Sequence, residues 1–459
     1  MSNYFFIGIG GSGMSAIAQM LLNDGHAVSG SDRALDQGKG GAAFDMLRAA
    51  GARLFPQDGS GVAADTDFVV VSTAIEDTVP DMRAALAAGI PVQHRAQLLA
   101  EIFNRRTGVA VGGTSGKSTV TGMIAFILDH ASLSPSAING GKIKNFMSES
   151  SLGNTLAGGS DILVIESDES DGSIVNYRPA VSVITNVTKD HKPLPELRNL
   201  FETFIENTAG LVVLNADCPE TATLDRKGKA AVTFSLKGRG DVNAENIVLQ
   251  PLESVFEVNG RACRLRVPGA HNVANALAAL AACRHFGVPD ALAFEALEQF
   301  RGIARRFDII GSAGGVSVID DFGHNPDKIR ATLETLALGP QRNLVFFQSH
   351  GFGPTRFMRD ELVSVFSSHL AKRDILFVPE IYYAGGTADK TISMADIARD
   401  ISKAGRNTVF REARADLAPL MAEAAEPGDI VCVMGARDDT LTAFCGDILN
   451  RLRERFPDE

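Results

Sequence analysis

A lysine and a serine directly behind a run of glycines are the residues of this chain best suited to handle phosphate. The apolar run Val109-Ala110-Val111 reads as a buried strand. It breaks into Gly112-Gly113-Thr114-Ser115-Gly116-Lys117-Ser118-Thr119, and a helical pattern follows through Met123, Ile124, Phe126, Ile127 and Leu128. Glycines let backbone N–H groups close on an anion, and the helix N-terminus adds positive partial charge. Lys117 can then neutralise terminal phosphates while the Ser118 hydroxyl ligates Mg²⁺. Val111 stands where the standard P-loop needs glycine, so what remains is the shorter Gly113-Thr-Ser-Gly-Lys-Ser. A mere glycine turn before a buried helix leaves the coincidence of strand, glycines, Lys-Ser and helix unexplained. The expectation is an ATP site built from Gly113, Thr114, Ser115, Gly116, Lys117, Ser118 and Thr119.

Further groups have the right chemistry to join it. Mg²⁺ takes few protein oxygens and keeps waters, so Ser118 and one carboxylate suffice. Glu166 is the natural choice, because it ends the strand Asp161-Ile-Leu-Val-Ile-Glu166 and opens the acidic run Glu166-Ser-Asp168-Glu169-Ser-Asp171. Helix capping is the plain alternative for Glu166. Of Asp168, Glu169 and Asp171, most are expected to be solvated or capping, and one or two functional. His191, behind the strand Ala180–Asn186 and Asp190, can bind a second divalent ion (Mg²⁺ or Mn²⁺) or orient one of its waters; otherwise it is a loop histidine. Arg305 and Arg306 lie in the basic linker 300–307, a domain joint where closure can bring a guanidinium onto a γ-phosphate; a plain solvated hinge is the alternative. Asp321, at a strand end, can bridge a nucleotide ribose, and His324 reads as a loop residue.

These groups need a large scaffold, and 459 residues exceed what one hydrophobic core serves, so two or three domains are expected. The chain opens with a strand over residues 4–9, then Gly8-Ile-Gly10-Gly-Ser-Gly13, a helix through Ile17 and Leu21, and a strand ending at Ser31-Asp32. That is a βαβ unit with G-x-G-x-x-G and an acid roughly 20 residues on. It suits a dinucleotide, a nucleotide-sugar diphosphate or a tight turn. Strands at Phe68–Ser72 and Ile90–Val92 follow, with 40–58 and 75–80 read as loops. The phosphate loop opens a second α/β block, with a small β excursion over 230–268, after which Pro268-Gly-Ala-His271-Asn272-Val-Ala-Asn275 starts an alanine-rich helix to about Phe286. A third block begins with Val316-Ser-Val-Ile-Asp320-Asp321. The predicted fold class is α/β in three domains: a Rossmann-like domain over 1–106, a central P-loop ATPase-type domain over 107–306, and a Rossmann-like C-terminal domain over 307–459.

Composition narrows the function. Net charge is −11, from 44 basic and 55 acidic residues, which disfavours nucleic-acid and anionic-membrane binding. Cys218, Cys263, Cys283, Cys432 and Cys445 show no metal spacing, and their odd number argues against a disulfide framework. There is neither a signal-peptide pattern nor an apolar run near the eighteen or so residues of a membrane span. A reducing, cytoplasmic setting is expected.

Taken together, Gly113-Thr-Ser-Gly-Lys-Ser, Glu166-Ser-Asp-Glu-Ser-Asp, Thr185-Asn186…Asp190-His191, Gly269-Ala-His-Asn272-Val-Ala-Asn275, Arg305-Arg-Phe and Asp320-Asp-Phe-Gly-His-Asn-Pro resemble the Mur ligase family over nearly the whole chain. These are ATP-dependent amide-forming ligases of peptidoglycan precursor synthesis. Ile7–Met14, Val71–Ile75 and Asn139-Gly-Gly141 are similar to the branch that joins L-alanine to UDP-N-acetylmuramate. Val316–Phe322 and Cys283–Val288 resemble the recycling branch, which attaches a tripeptide, almost as well. The resemblance implies a UDP-sugar domain, an ATPase domain and a C-terminal domain for the amine. It implies an acyl phosphate attacked by an amine. By position, Lys117 and Arg306 would bind the migrating phosphate, Ser118, Glu166 and His191 the Mg²⁺, and Asn272, Asn275 and Asp321 the adenosine. Gly10, Gly11, Ser12, Gly13, Met14, Ser31, Asp32, Ser72 and Thr73 would meet the UDP-sugar, and His350 and Arg356 the amine.

Several positions depart from the family pattern. Ser115 stands for His or Asn, Ser118 for Thr, Lys192-Pro193 for a continuation bearing Asp, and Asn325 for a second histidine. Gly351 and Pro354 stand where arginines are expected, and Arg437-Asp-Asp439 replaces a glycine turn. Phe204-Ile-Glu206 offers no lysine where some members carry a carbamylated one, as in the alanine branch. The expected substrates are a UDP-N-acetylmuramate-type acid and an amino acid, L-alanine first. The competing readings are a peptide or other amine, and a non-catalytic nucleotide-binding homologue. Oligomeric state is not legible.

Overall fold

The computed structural model describes all residues except 40, 74, 150, 189–191, 384–388 and 458–459. The described residues form two compact units. One comprises Met1–Ile247, Phe256–Arg264 and Asn272–Arg301, and the other Val248–Val255, Leu265–His271 and Gly302–Glu459. The joint between Arg301 and Gly302 falls just before the boundary expected after 306.

The first unit holds two sheets. In the N-terminal one, five parallel strands lie in the order Arg53–Phe55, Ala27–Ser31, Asn3–Ile7, Phe68–Val71, Val92–His94. The chain steps outward from Asn3–Ile7, then returns to its other side, so the order reverses there. The crevice at the C-terminal ends of strands at such a reversal is where open α/β sheets bind ligands. Gly8–Gly13, Asp32 and Ser72 all follow strand ends on that edge.

The central sheet has eight strands. Thr107–Gly112 lies in its middle, parallel to Ile162–Glu166 on one side and Val181–Ile184 on the other. Register places Glu166 opposite Val111 and Ile184 opposite Gly112. The glycine loop, the acidic run and Thr185-Asn186 therefore leave the same edge side by side. These strands are near-continuous apolar runs because helices cover both faces. The long helix Lys117–His130 buries Val120, Met123, Ile124, Ile127 and Leu128.

One core runs through the N-terminal and central blocks, joining Phe6, Ile17 and Phe103 to Ile165, Phe201 and Phe204. Phe103 packs edge-on against Tyr177 at 5.3 Å, and Asn104 exchanges hydrogen bonds with Asn176 and Arg178. Arg106 donates twice to Asp24.

In the second unit, six strands lie in the order Asp308–Ala313, Val316–Asp321, Ile430–Gly435, Asn343–Gln348, Ile375–Val378, Asn407–Phe410. All pairs are parallel except the first, an antiparallel hairpin. Alternate residues serve opposite faces. Ile319, Val345, Phe347, Val378 and Met434 pack on one side; Val318, Leu344, Phe346, Phe377 and Val433 pack on the other.

Sequence patterning left gaps. Residues 40–58, read as a loop, contain the helix Ala42–Ala49 and the edge strand Arg53–Phe55. Phe44 and Leu47 anchor that helix in the core, but two apolar anchors in eight residues are too few for periodicity to register. Asp308–Ala313, Asn407–Phe410 and the helix Leu417–Ala424 were likewise not anticipated. No helix among the described residues is long and apolar enough to cross a membrane.

Candidate active site

The phosphate loop is held open by its neighbours. Gly113 has φ +125° and sits against Thr185, where a Cβ would lie 2.1 Å from Oγ1. Gly116, at φ +87°, precedes the helix Lys117–His130, and a Cβ there would lie 2.6 Å from Asn275 Oδ1. Neither position tolerates a side chain, for conformational and steric reasons alike. The peptide groups between them are taken by the adjacent strand end. Ser115 N donates to Asn186 Oδ1 at 3.0 Å, Thr185 Oγ1 donates to Ser115 O at 2.6 Å, and Thr188 N donates to Thr114 Oγ1 at 3.0 Å.

At the helix start two side chains turn toward the acidic run. Ser118 Oγ donates to Glu166 Oε2 at 2.8 Å, and Gly140 N donates to the same oxygen at 2.9 Å. Asn139, from the segment likened to the alanine branch, donates to Ser118 O at 3.1 Å. Lys117 Nζ donates to Glu169 Oε2 at 2.7 Å and lies 3.7 Å from Asp168. Burial pulls the Lys117 ammonium down, but Glu169 and then Asp168 outweigh it and hold it above its ordinary range. Burial pushes the Glu169 carboxyl up, with Lys117 opposing. Breaking such a buried pair by removing one partner costs about 3–5 kcal/mol.

The donors suit a metal that takes most of its ligands from phosphate and water. Among the described residues no three His, Cys, Asp or Glu gather as a metal cluster. One hydroxyl beside one carboxylate oxygen matches Mg²⁺ or Mn²⁺ rather than an all-protein zinc site. His191, expected as a further ligand, lies outside the described residues. Asn272 and Asn275, on the helix Ala270–Arg284, are buried and bonded to each other at 3.1 Å, with Asn275 against Gly116. The structure thus brings Lys117, Ser118, Glu166 and the asparagine pair around one loop. Thr119 follows on the helix, half-buried.

The N-terminal glycine loop is arranged differently. Asp32 Oδ2 accepts from Gly10 N at 2.9 Å, and its Oδ1 caps the next turn at Ala34 N. Gly11 and Ser12 are exposed at the start of the helix Ser12–Asn23, which has no side-chain cap and no acid in its first turn. Gly13 lies under Arg95: a Cβ would come within 2.5 Å of its Nη1. Sequence reasoning did not single out Arg95, which the structure brings over this loop. Ser72 is half-buried and Thr73 exposed just beyond Phe68–Val71. Two expected UDP-sugar contacts turn inward instead. Met14 is buried in the core, and Ser31 donates its hydroxyl to Asp81, a fully buried carboxylate that also accepts from Gly59 N at 2.6 Å.

In the second unit, Arg305 and Phe307 adopt left-handed backbone, at φ +61° and +47°. For residues with a Cβ that conformation persists only when contacts enforce it. Arg305 N donates to Asp308 and Phe307 N to Asp321, while the Arg305 guanidinium reaches Gly435 O at 3.0 Å and buried Asp320 at 3.5 Å. Arg305 is therefore an anchor rather than a solvated hinge. Arg306 lies over the Phe322 ring at 4.5 Å. Asp321 is buried, its oxygens accepting from Phe307 N, Gly323 N and Thr332 Oγ1. His324 contacts both Phe322 and His350 edge-on. Burial and Lys328 pull the His324 imidazole down to about 3; burial and Arg437 lower His350.

The departures from the family pattern have local structural uses. Asn325 caps the helix Pro326–Leu336 through Lys328 N, and Gly351 takes φ +74° before the short helix Phe352–Phe357. Arg356 is exposed and bonds Asp389 O and Thr391, apart from His350. Asp438 accepts from Gln348, Arg414 and Thr440, so the turn beside Arg437 is pinned by a carboxylate that sequence reasoning had counted only as a departure.

Comparison with known proteins supplies the frame. Residues 3–107 match the Mur ligase family catalytic domain, 111–283 the Mur ligase middle domain, and 305–437 the Mur ligase glutamate ligase domain. The chain is 35% identical to a UDP-N-acetylmuramate–L-alanine ligase of Jannaschia sp., with 99% of this chain and 96% of the relative covered. It is 36% identical to the protein of that name from Geobacter sulfurreducens, covering 94% of each. Among solved structures, the UDP-N-acetylmuramate–alanine ligase of Thermotoga maritima superposes with TM-score 0.79 at 28% identity over 99% of this chain and all of that one. A murein peptide ligase from Psychrobacter arcticus shares the fold, with TM-score 0.64 at 22% identity over 98% and 99%. With three matched domains in order and full-length relatives above a third identical, the chain belongs to the Mur ligase family.

Proposed function

We propose that this chain uses ATP to join L-alanine to the muramate carboxylate of UDP-N-acetylmuramate, in peptidoglycan precursor synthesis. The observation that carries this reading is the Lys117–Ser118–Glu166 arrangement at the end of one parallel strand pair. It is supported by full-length likeness to proteins named for that reaction. The roles proposed are UDP-sugar binding for 1–106, ATP binding for 107–306, and the amine for 307–459. Gly10–Gly13 and Asp32, with Ser72 and Thr73, bind the UDP part.

In the first step a carboxylate oxygen attacks the γ-phosphorus and ADP leaves. In the second the amine nitrogen attacks the acyl carbon, loses a proton, and phosphate leaves. Lys117 and Arg306 are assigned to the charge that develops on the migrating phosphate, a role that preset donors fill at high efficiency. Ser118, Glu166 and His191 would hold Mg²⁺ or Mn²⁺, which neutralises phosphate charge when bound. Asn272, Asn275 and Asp321 are assigned to the adenosine. A cytoplasmic setting accords with five free cysteines.

A second reading, a peptide as the amine, is favoured by Arg356, whose guanidinium is engaged at 389–391, and by Gly351 and Pro354 in place of arginines. Phosphate release from ATP with UDP-N-acetylmuramate, screened against L-alanine, other amino acids and the tripeptide, decides between them. Release with alanine supports the first reading; release with the tripeptide alone moves the chain to the recycling branch. No release with any amine removes the enzymatic reading.

A further inference from the structure

The acidic run behind Glu166 contains one member that behaves unlike the others. Asp168 Oδ1 accepts from Ser170 N and Asp171 Oδ1 from Ser173 N, so both carboxylates brace their own turns. Gly172 N closes the intervening turn on Glu169 O. Those turns roll the Glu169 side chain inward, where 4% of it stays exposed, against 55% for Asp168. Inside, it meets the Lys117 ammonium at 2.7 Å, itself 13% exposed.

We propose that Glu169 is a positioning residue for Lys117, aiming its ammonium at the mouth of the phosphate loop before nucleotide arrives. The proposal rests on reading 113–119 as the ATP loop. A lysine on a helix's first turn has four rotatable bonds, and a charge-assisted bond to a buried acceptor selects one direction among them. The same carboxylate repels an incoming triphosphate. It therefore weakens nucleotide binding in the ground state while presetting Lys117 for phosphoryl transfer. Such a residue has opposite effects on affinity and on turnover.

The test uses the full chain with Mg²⁺. It measures kcat and the KM for ATP in phosphate release, the affinity for the β,γ-imido analogue of ATP by calorimetry, and Tm. Glu169→Gln is expected to bind the analogue about threefold more tightly or better while kcat falls about tenfold or more. Glu169→Asp keeps the charge but withdraws it by one methylene, so kcat falls with no gain in affinity. Weaker analogue binding by Glu169→Gln, or kcat within about twofold of the parent, overturns the proposal. If Glu169→Gln does not fold, full kcat in Glu169→Asp overturns it. If the unaltered chain binds the analogue but releases no phosphate with any amine, the ligase reading falls and the analogue affinities alone decide the pair.

Discussion

The two glycine loops of the first unit solve one problem in opposite ways. Both follow a parallel strand and open a helix. In the N-terminal loop a carboxylate faces the glycines, with Asp32 bonded to Gly10 N, and the cation Arg95 comes from a different element. In the central loop the cation is built into the helix as Lys117, and the carboxylates stand on the neighbouring strand end. The first arrangement suits a phosphate ester that is gripped and left unchanged. The second places a hydroxyl and a carboxylate together, the pair a divalent cation needs if phosphate is to be moved. Glycine spacing alone does not separate holding from transferring; the position of the charges does.

The sharpest way to break this contrast is Lys117→Ala. Phosphate release should fall about a thousandfold, as for removal of a preset charge-stabilising donor, while UDP-N-acetylmuramate still binds with unchanged affinity in calorimetry. Loss of both would show that the loops are not independent. Next in size, Glu166→Gln or Ser118→Ala should lower activity about 10- to 100-fold and raise the Mg²⁺ concentration for half-maximal rate. A simple drop in rate at unchanged Mg²⁺ demand would remove the metal role. Gly116→Ala combines left-handed strain with the Asn275 clash and should weaken ATP about tenfold, for about 1–2 kcal/mol. In the other loop, Asp32→Ala removes a cap worth about 1 kcal/mol of stability and should weaken the UDP-sugar while leaving the ATP analogue unaffected.

The smallest effect concerns pH. Burial raises the Asp81 carboxyl above its ordinary 3.8, with the Ser31 and Gly59 bonds opposing. The folded state therefore holds that proton more tightly than the unfolded chain. This stabilising contribution is complete below 3.8 and is lost as pH climbs through the raised value. Denaturant titrations from acid upward should show that decline in the parent and a flatter profile in Asp81→Asn; equal slopes would contradict it.

Legibility followed locality. Lys117, Ser118 and Glu166 were readable because each stands at a strand end or helix start that its own neighbours announce. The choice of Glu169 over Asp168 and Asp171 was not. All three are acids in one short run, and only the turns after Ile162–Glu166 decide which faces inward. The bond of Ser31 to Asp81 was not legible either, since that partner is fifty positions away. Arg305 was left between a phosphate ligand and a solvated hinge because nothing in its flanks reveals buried Asp320 or the carbonyl of Gly435. Gly351 and Asn325 looked like losses from a substrate site, since a sequence shows what is missing before it shows a helix cap.

The single core that joins the N-terminal and central blocks bears on how this protein can be taken apart. Phe103, fully buried, contacts Tyr177 across the joint, and burying such a ring is worth about 1.5–3 kcal/mol. A fragment ending at Arg106 would carry that aromatic surface into water, and one beginning at Thr107 would lack its cover. The first two blocks should then melt in one transition and resist exchange between relatives. Recombination or truncation at the joint would yield insoluble halves, and a cut near Gly302 would leave Val248–Val255 and Leu265–His271 of the second unit on the other fragment.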